Sequence, residues 1–495
     1  MGYNAAIDNS YKESSMAKFK SYRKGQLHLL PPCLEDYVPE GHLARLVYEV
    51  VEGLNTSAIE ETYSELGQNT YHPKIFLKLF FYGYATGVRS GRKISARCET
   101  DTAYMYLAEM YRPDFRTIND FRKNHLSLIE RYFVEVVKIC KDLGMTKIGE
   151  ITIDGSKMKA NAAPRMSKDK VGYEAWLEKI EGEIEEILKE ADRVDAEEDR
   201  LYGEERGDEL PKELQTKISL KEKIREVLRD WKGDDKEKIN LTDPDSRFMK
   251  ERRGVITSSY NCQVAVVEGQ VIVGADVIQE ENDRQQLVPM VEQAEATLGG
   301  EVKEVIADSG YSSYDNYEYL STTKKTGYIP DQYFEKVKQG DYQSPESRYH
   351  KENFRYDEGR DVYICPEGKE LPFYKERDSE EGVIPRKQWI YKGEDCDHCP
   401  VSGQCTKAKY RTIAREKREP LQEEMRRRLL SEEGRQKYKK RLYWVEPVFG
   451  HFKYNLGFKS FLLRGLEKVR GEFKLMCIGY NLRKIFSYKM ALAVA

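Results

Sequence analysis

Residues 151–153 are Ile-Thr-Ile, a β-branched run that breaks off at Asp154-Gly155-Ser156. β-Branched side chains favour extended backbone and Asp-Gly-Ser is turn chemistry, so the run predicts a strand ending on a carboxylate. The order of elements after this strand constrains the chain most. Residues 258–278 hold two further β-rich runs flanking Glu268-Gly269, a hairpin pattern. A helical stretch, RQQLVPMVEQAEATLG, then leads to KEVIADSGYSS, a fourth strand ending on Asp308, and TGYIP (326–330) supplies a fifth. Strand, hairpin, helix, strand is an order that lays the first and fourth strands side by side, which makes Asp154 and Asp308 neighbours. A helix packed across such a sheet can present a third acid, and Glu446 stands in the helical C-terminal region.

Around this pattern the chain divides by periodicity. Residues 1–150 read as mostly helical: 72–87 has helical apolar spacing and ends at Gly87, suited to a C-cap, and Thr117 with Asp120 forms a capping-box pattern. Short basic helices carrying Arg116, Arg122, Lys123 and His125 suit a helix-turn-helix, and a plain helical bundle fits equally. Residues 172–200 and the return from 214 predict an antiparallel charged hairpin around turn residues 203–213. The predicted class is α/β, a mixed-sheet core in two parts (146–170 and 240–330). To it are added an N-terminal all-helical domain (1–145), a helical hairpin insertion (171–239), a cysteine-rich insertion (331–415) and a C-terminal helical part (416–495) that carries Glu446.

Charge narrows the partners. The net charge of −3 over 495 residues hides an acid-rich 171–240 and a strongly basic 401–495. A basic segment suits a polyanion and equally suits a solvated helix surface. Basic residues interleave with aromatics through Lys437–Arg441, Tyr443 and Trp444, and again from Lys453 to Arg470, a pattern fitted to backbone phosphates and unpaired bases. Trp389 and Trp444 have core packing as their alternative. The chain shows neither a basic start followed by an apolar stretch nor a run of ~20 apolar residues, so a soluble cytoplasmic protein is expected, with no membrane partner.

Three converging acids repel unless a cation joins them. Oxygen-only donors point to Mg²⁺ or Mn²⁺, and two such ions suit in-line displacement at a phosphodiester. Asp243 and Asp245 precede a strand and read as turn formers. Of nine cysteines, Cys33, Cys98, Cys140, Cys262 and Cys477 stand singly and are expected as buried thiols. The other four, Cys365, Cys396, Cys399 and Cys405, include a C-x2-C knuckle. They are expected to hold one structural Zn²⁺, with reduced free thiols as the alternative.

Seven stretches in order carry a resemblance: HPKIFLKLFFYGYATGVRSGRKI (72–94), RTINDFRKNH (116–125), ITIDGSKMKANAA (151–163), TDPDSRFMK (242–250), YNCQVAV (260–266), ADSGYSS (307–313) and VEPVFGHFKYNLGFKSFLLRGLEKV (445–469). With these the chain resembles the DDE transposases of bacterial insertion sequences, in particular the IS-eleven-eighty-two group with its appended N-terminal helical domain. The resemblance implies a ribonuclease-H-like core with Asp154, Asp308 and Glu446 as the catalytic Mg²⁺- or Mn²⁺-binding acids, and Glu467 as a weaker rival for the third. It implies double-stranded DNA (element ends and target) as partner, a homodimer on DNA, and nucleoid association. Lys453 matches the family's DNA-contacting lysine. The family's Tyr and Arg usually lie seven and four residues before the glutamate. Those places hold Lys439 and Leu442 here, with Tyr438 and Arg441 each one residue further away. Pro447 is expected to break or bulge the helix and account for the shift. Tyr438, Arg441, Arg464, Arg122 and Lys123 complete the expected DNA contacts. The implied activity is metal-dependent cleavage at terminal inverted repeats and strand transfer; the alternatives are a nuclease that cuts without joining and a domesticated DNA-binding protein.

Overall fold

The computed structural model describes residues 33–63, 70–202, 212–231, 234–251, 254–331, 334, 348–379 and 386–494, so most of the expected turn at 203–213 lies outside the described residues. Its centre is a mixed six-stranded sheet: β1 (Glu150–Lys159), β2 (Arg247–Lys250), β3 (Ile256–Val267), β4 (Val271–Ile278), β5 (Glu304–Ile306) and β6 (Thr326–Tyr328). β3 runs antiparallel to β1, and its other edge carries β2 and then β4, both antiparallel. β5 lies parallel to β1 on the far side, and β6 parallel to β5. The order across the sheet is therefore β4-β3-β1-β5-β6, with β2 extending the β4 edge. Residues 259–267 of β3 are buried without interruption, as expected of a strand covered on both faces.

One expectation needs correction. β1 does not end at Asp154; it continues to Lys159, because β3 pairs with it from Thr152 to Lys159, Asp154 opposite Val264 and Lys159 opposite Ser259. A long partner overrides the turn preference of Asp-Gly-Ser, and the acid sits in mid-strand.

The N-terminal region is helical, as expected: Leu43–Gly53, Pro73–Thr86, Gly91–Thr100, Thr102–Leu107, Phe115–His125 and Ile129–Asp142. Pro73 opens its helix and Gly87 closes it in the left-handed region at φ 85°. The expected capping box at Thr117 is replaced by a cap three residues earlier. Asp114 accepts from the Arg116 backbone N–H at 2.6 Å, and the Thr117 hydroxyl donates to its other oxygen at 2.9 Å.

The helix Leu466–Val494 packs on Pro73–Thr86 and Ile129–Asp142 and on β4. A Cβ on Gly479 would stand 2.7 Å from backbone atoms of Tyr84 and Ala85, so a side chain there is excluded and the two helices meet backbone to backbone. The N-terminal helices, the sheet and this last helix share one continuous buried core.

Two further parts have small cores of their own. The hairpin Lys170–Tyr202 and Lys212–Arg229 closes on Tyr173, Ile180, Ile184, Leu214, Ile224 and Val227, with Glu183 paired to Lys217 at 2.6 Å. Arg355–Asp357, Val362–Ile364, Glu370–Ser379, Arg386–Lys392 and Thr412–Glu416 form a five-stranded antiparallel sheet around Tyr363, Leu371, Tyr391 and Ile413. Among the described residues no helix is long and apolar enough to cross a membrane.

Candidate active site

β1 and β5 are parallel neighbours in which Glu150 pairs with Glu304, and both strands lead towards the same end of the sheet. Asp154 lies four residues along β1 from Glu150 and is 5% exposed. Asp308 follows β5 by two residues, starts the short turn Ser309–Tyr311 and accepts from the Gly310 N–H at 2.8 Å.

The helix Glu432–Trp444 crosses these strands with three cations on one face. Lys437 pairs with Glu304 and Glu150, and Lys440 with Glu150 at 2.6 Å. One turn after Lys437, Arg441 donates from Nη2 to Asp154 at 2.9 Å and to Asp308 at 3.5 Å, while Nη1 stands 3.5 Å from Glu446. A single guanidinium thus meets all three acids expected from the sequence. The helix breaks at Val445; Glu446–Gly450 restarts with Pro447 in its first turn, and His451–Asn455 follows as a π-helix. Arg441, five residues before Glu446, reaches the acids, whereas Leu442, four before it, is exposed. Glu467 sits exposed in the first turn of Leu466–Val494 and takes no part in this pairing.

A fourth acid escaped the sequence reading. Asp283, in the loop after β4, accepts from Asn261 Nδ2 at 2.7 Å and Gln263 Nε2 at 2.6 Å. A Cβ on Gly155 would lie 2.6 Å from one Asp283 oxygen, and one on Gly310 would lie 3.0 Å from the other and 2.9 Å from Asp308. Gly310 therefore lets this carboxylate stand beside Asp308, and Gly155 lets it close on β1, on the strand face opposite to the Asp154 side chain. The usable signal was Asn261 and Gln263, polar residues two apart on one face within the mostly apolar run 260–267, which need a buried partner. Tyr311, also buried, donates to Gln263 Oε1 and locks the amide that holds Asp283.

Burial lifts Asp154 from 3.8 to about 6 against the pull of Arg441, and the charge on Asp308 adds to the rise. Burial likewise raises Asp283 against its amide donors, with Asp308 adding again. Burial opposes the charge on Arg441, yet Asp154 and Asp308 hold its pKa above the ordinary value. The site is a crowd of carboxylates that calls for positive charge. Its donors are all oxygens, which fits a hard divalent cation. In the present arrangement the guanidinium stands among the acids, and among the described residues no three acidic, histidine or cysteine side chains are arranged to hold a metal ion.

The expected DNA contacts divide. Lys453 donates to Ser156 Oγ at 2.6 Å and to the Lys157 carbonyl at 2.8 Å, beside Asp154 on β1. Arg464 is exposed and binds the Asn161 carbonyl at 2.8 Å. Tyr438 turns its ring to Phe334, with centroids 6.0 Å apart. Lys123 is exposed. Arg122 is corrected: it is buried, donates to the Arg89 carbonyl at 3.0 Å and to Asn119 at 3.1 Å, and lies over Phe80, so it ties helices together and does not face solvent.

Asp243 and Asp245 do lie in a turn, and they also latch the last helix. Asp243 accepts from the Tyr260 hydroxyl at 2.7 Å and the Gly465 N–H at 3.0 Å, and Asp245 from the Leu466 N–H at 2.8 Å. Cys33 is exposed, contrary to expectation, while Cys98, Cys140, Cys262 and Cys477 are buried. Cys365, Cys396, Cys399 and Cys405 line one cavity of about 270 Å³. There the Lys369 N–H donates to Cys365 Sγ at 3.3 Å, and burial together with the other three thiols raises Cys405.

Residues 364–486 match the family model described as Transposase DDE domain, and residues 32–124 match Transposase domain (DUF772). No curated protein and no solved structure matches the chain. The first match spans Arg441, Glu446 and Lys453; the second spans most of the N-terminal helices. Both segments are similar to transposases.

Proposed function

We propose that the chain is a DDE transposase of the IS-eleven-eighty-two-like group, in which Asp154, Asp308 and Glu446 are the catalytic acids. The observation that carries this reading is the convergence of all three on the Arg441 guanidinium, from three separate elements. The strand order β4-β3-β1-β5-β6, with β5 and β6 parallel to β1, supports a ribonuclease-H-like core. The two family matches support the chemistry and, through 32–124, the helical N-terminal part as a transposase element.

In this reading the three carboxylates hold divalent Mg²⁺ or Mn²⁺. When bound, two such ions supply a deprotonated water or 3′-hydroxyl and neutralise the leaving oxygen of an in-line displacement. The chain's own contributions are positional. β1 and β5 fix the two aspartates, the Val445 break aims Glu446, and Lys453 and Arg464 offer cations to DNA phosphates along the same face. Lys123 adds a contact from the N-terminal helices. Cutting and joining two element ends calls for a homodimer on DNA. Cys365, Cys396, Cys399 and Cys405, which line one cavity, are the thiols that would hold a structural Zn²⁺.

The test is a cleavage and strand-transfer assay with DNA carrying the repeats that flank the reading frame. Asp154→Ala, Asp308→Ala and Glu446→Ala are each expected to abolish cleavage while end binding persists, and the losses do not add. Glu467→Ala is expected to cut normally. Cleavage without joining would instead identify a nuclease, and retained cleavage in the three variants would refute the site.

A further inference from the structure

The helix Glu432–Trp444 carries a cation that its neighbours do not explain. Lys437 and Lys440 neutralise Glu150 and Glu304, two acids that pair across parallel strands and need such partners in any state. Arg441 is different. Its guanidinium lies among Asp154, Asp308 and Glu446, the donor set that the proposed chemistry assigns to divalent cations. Its Nε is buried and has no hydrogen-bond partner, so the pose leaves one donor unsatisfied. Attraction to the carboxylates holds it there against that cost.

We propose, resting on the DDE reading above, that Arg441 is a resident counter-cation. In the metal-free protein it holds the three acids converged, and it must leave before divalent cations take the same oxygens. Without any cation, Asp154, Asp308 and the adjacent Asp283 would repel one another and the β1–β5 end of the site would spread. With the guanidinium seated, the site is kept shaped and closed. Metal and arginine compete for the same oxygens, so apparent metal affinity is reduced by the fraction of molecules in which Arg441 is seated. The link is reciprocal: whatever draws Arg441 away raises metal affinity by the same factor. A DNA phosphate is the natural acceptor, because a guanidinium released from carboxylates pairs well with phosphate oxygens. The site therefore loads metal best when DNA is present.

The experiment is a Mn²⁺ titration of the full-length protein, read by the electron paramagnetic resonance signal of free ion, with thermal melts in parallel. Arg441→Gln is expected to bind Mn²⁺ at least tenfold more tightly than wild type. It is expected to melt lower without metal and to recover the wild-type melting temperature at saturating Mn²⁺. A merely structural role would leave the melting deficit in place at saturation. Lys440→Gln removes the same charge from the same helix one residue away and is expected to keep the wild-type isotherm. Equal or weaker Mn²⁺ binding by Arg441→Gln overturns the proposal while leaving the DDE reading intact. So does equal tightening in Lys440→Gln, which would reveal a general field effect. Absence of Mn²⁺ binding in wild type and Arg441→Gln alike would overturn both.

Discussion

Asp154 is held in a place that disfavours its charge, and its pKa sets the sign of the consequence. Burial raises it from 3.8 to about 6 despite Arg441. The folded protein therefore binds this proton more tightly than the unfolded chain. The stability contributed by the group is fully present below pH 3.8 and is lost as pH rises through 6. Asp154→Asn is then expected to stabilise the metal-free protein by about 2–3 kcal/mol at pH 8, a gain that shrinks below pH 6 and vanishes near pH 4. Thermal melts across this range check it; a destabilised variant at pH 8 would show that the Arg441 pair outweighs burial. Asp154 and Asp308 drew notice because each follows a β-rich run, and Glu446 because of its helical setting and the resemblance carried by 445–469. Asp283 did not, since in sequence it is one more acid before a helix; only the fold brings it between Gly155 and Gly310. Arg122 misled in the opposite sense. Nothing in its own residue type distinguishes a basic side chain facing DNA from one buried over Phe80.

At the level of elements, the proline and glycine signals were readable, whereas the Thr117 cap, the Asp-Gly-Ser breaker and the strand partners were not. Pro73 and Gly87 bound their helix as their backbone chemistry dictates, and Pro447 sits where the helix breaks. β1 ran past its expected end because the length of β3, remote in sequence, decides how far it pairs. The helix Leu466–Val494 shows what close packing demands of one residue. Gly479→Ala places a methyl 2.7 Å from the backbone of the neighbouring helix, which neither helix can relieve by a rotamer change. A loss of about 1–3 kcal/mol is expected, read as a fall in melting temperature with the core otherwise unchanged. The five-stranded sheet offers a second check. If its four thiols hold zinc, purified protein contains about one Zn per chain, and Cys396→Ser with Cys399→Ser lowers both the metal content and the protection of this sheet from proteolysis. Metal-free protein of unchanged resistance would favour reduced thiols.

At the scale of the whole molecule, the division at about residue 145 that periodicity suggested meets a core that does not stop there. Phe76, Phe80 and Phe81 of Pro73–Thr86 belong to the same buried cluster as Met476, Leu482 and Ile485 of the C-terminal helix and Val271 and Val273 of β4. Arg89 pairs with the fully buried Glu472 at 3.0 Å, an ion pair that neither segment can complete alone. The helical part and the sheet therefore stabilise each other through the last helix. Residues 1–145 expressed alone lack the surface that covers Pro73–Thr86 and Ile129–Asp142, and exposed apolar faces of that kind lead to aggregation or a loosely packed state. The fragment is expected to show helical circular dichroism without a cooperative melt. Adding residues 460–495 in trans or by fusion is expected to restore cooperativity, because it returns Glu472 and the Gly479 contact. A cooperative melt of 1–145 by itself would show that the helical region closes on its own core and that the C-terminal helix only docks against it.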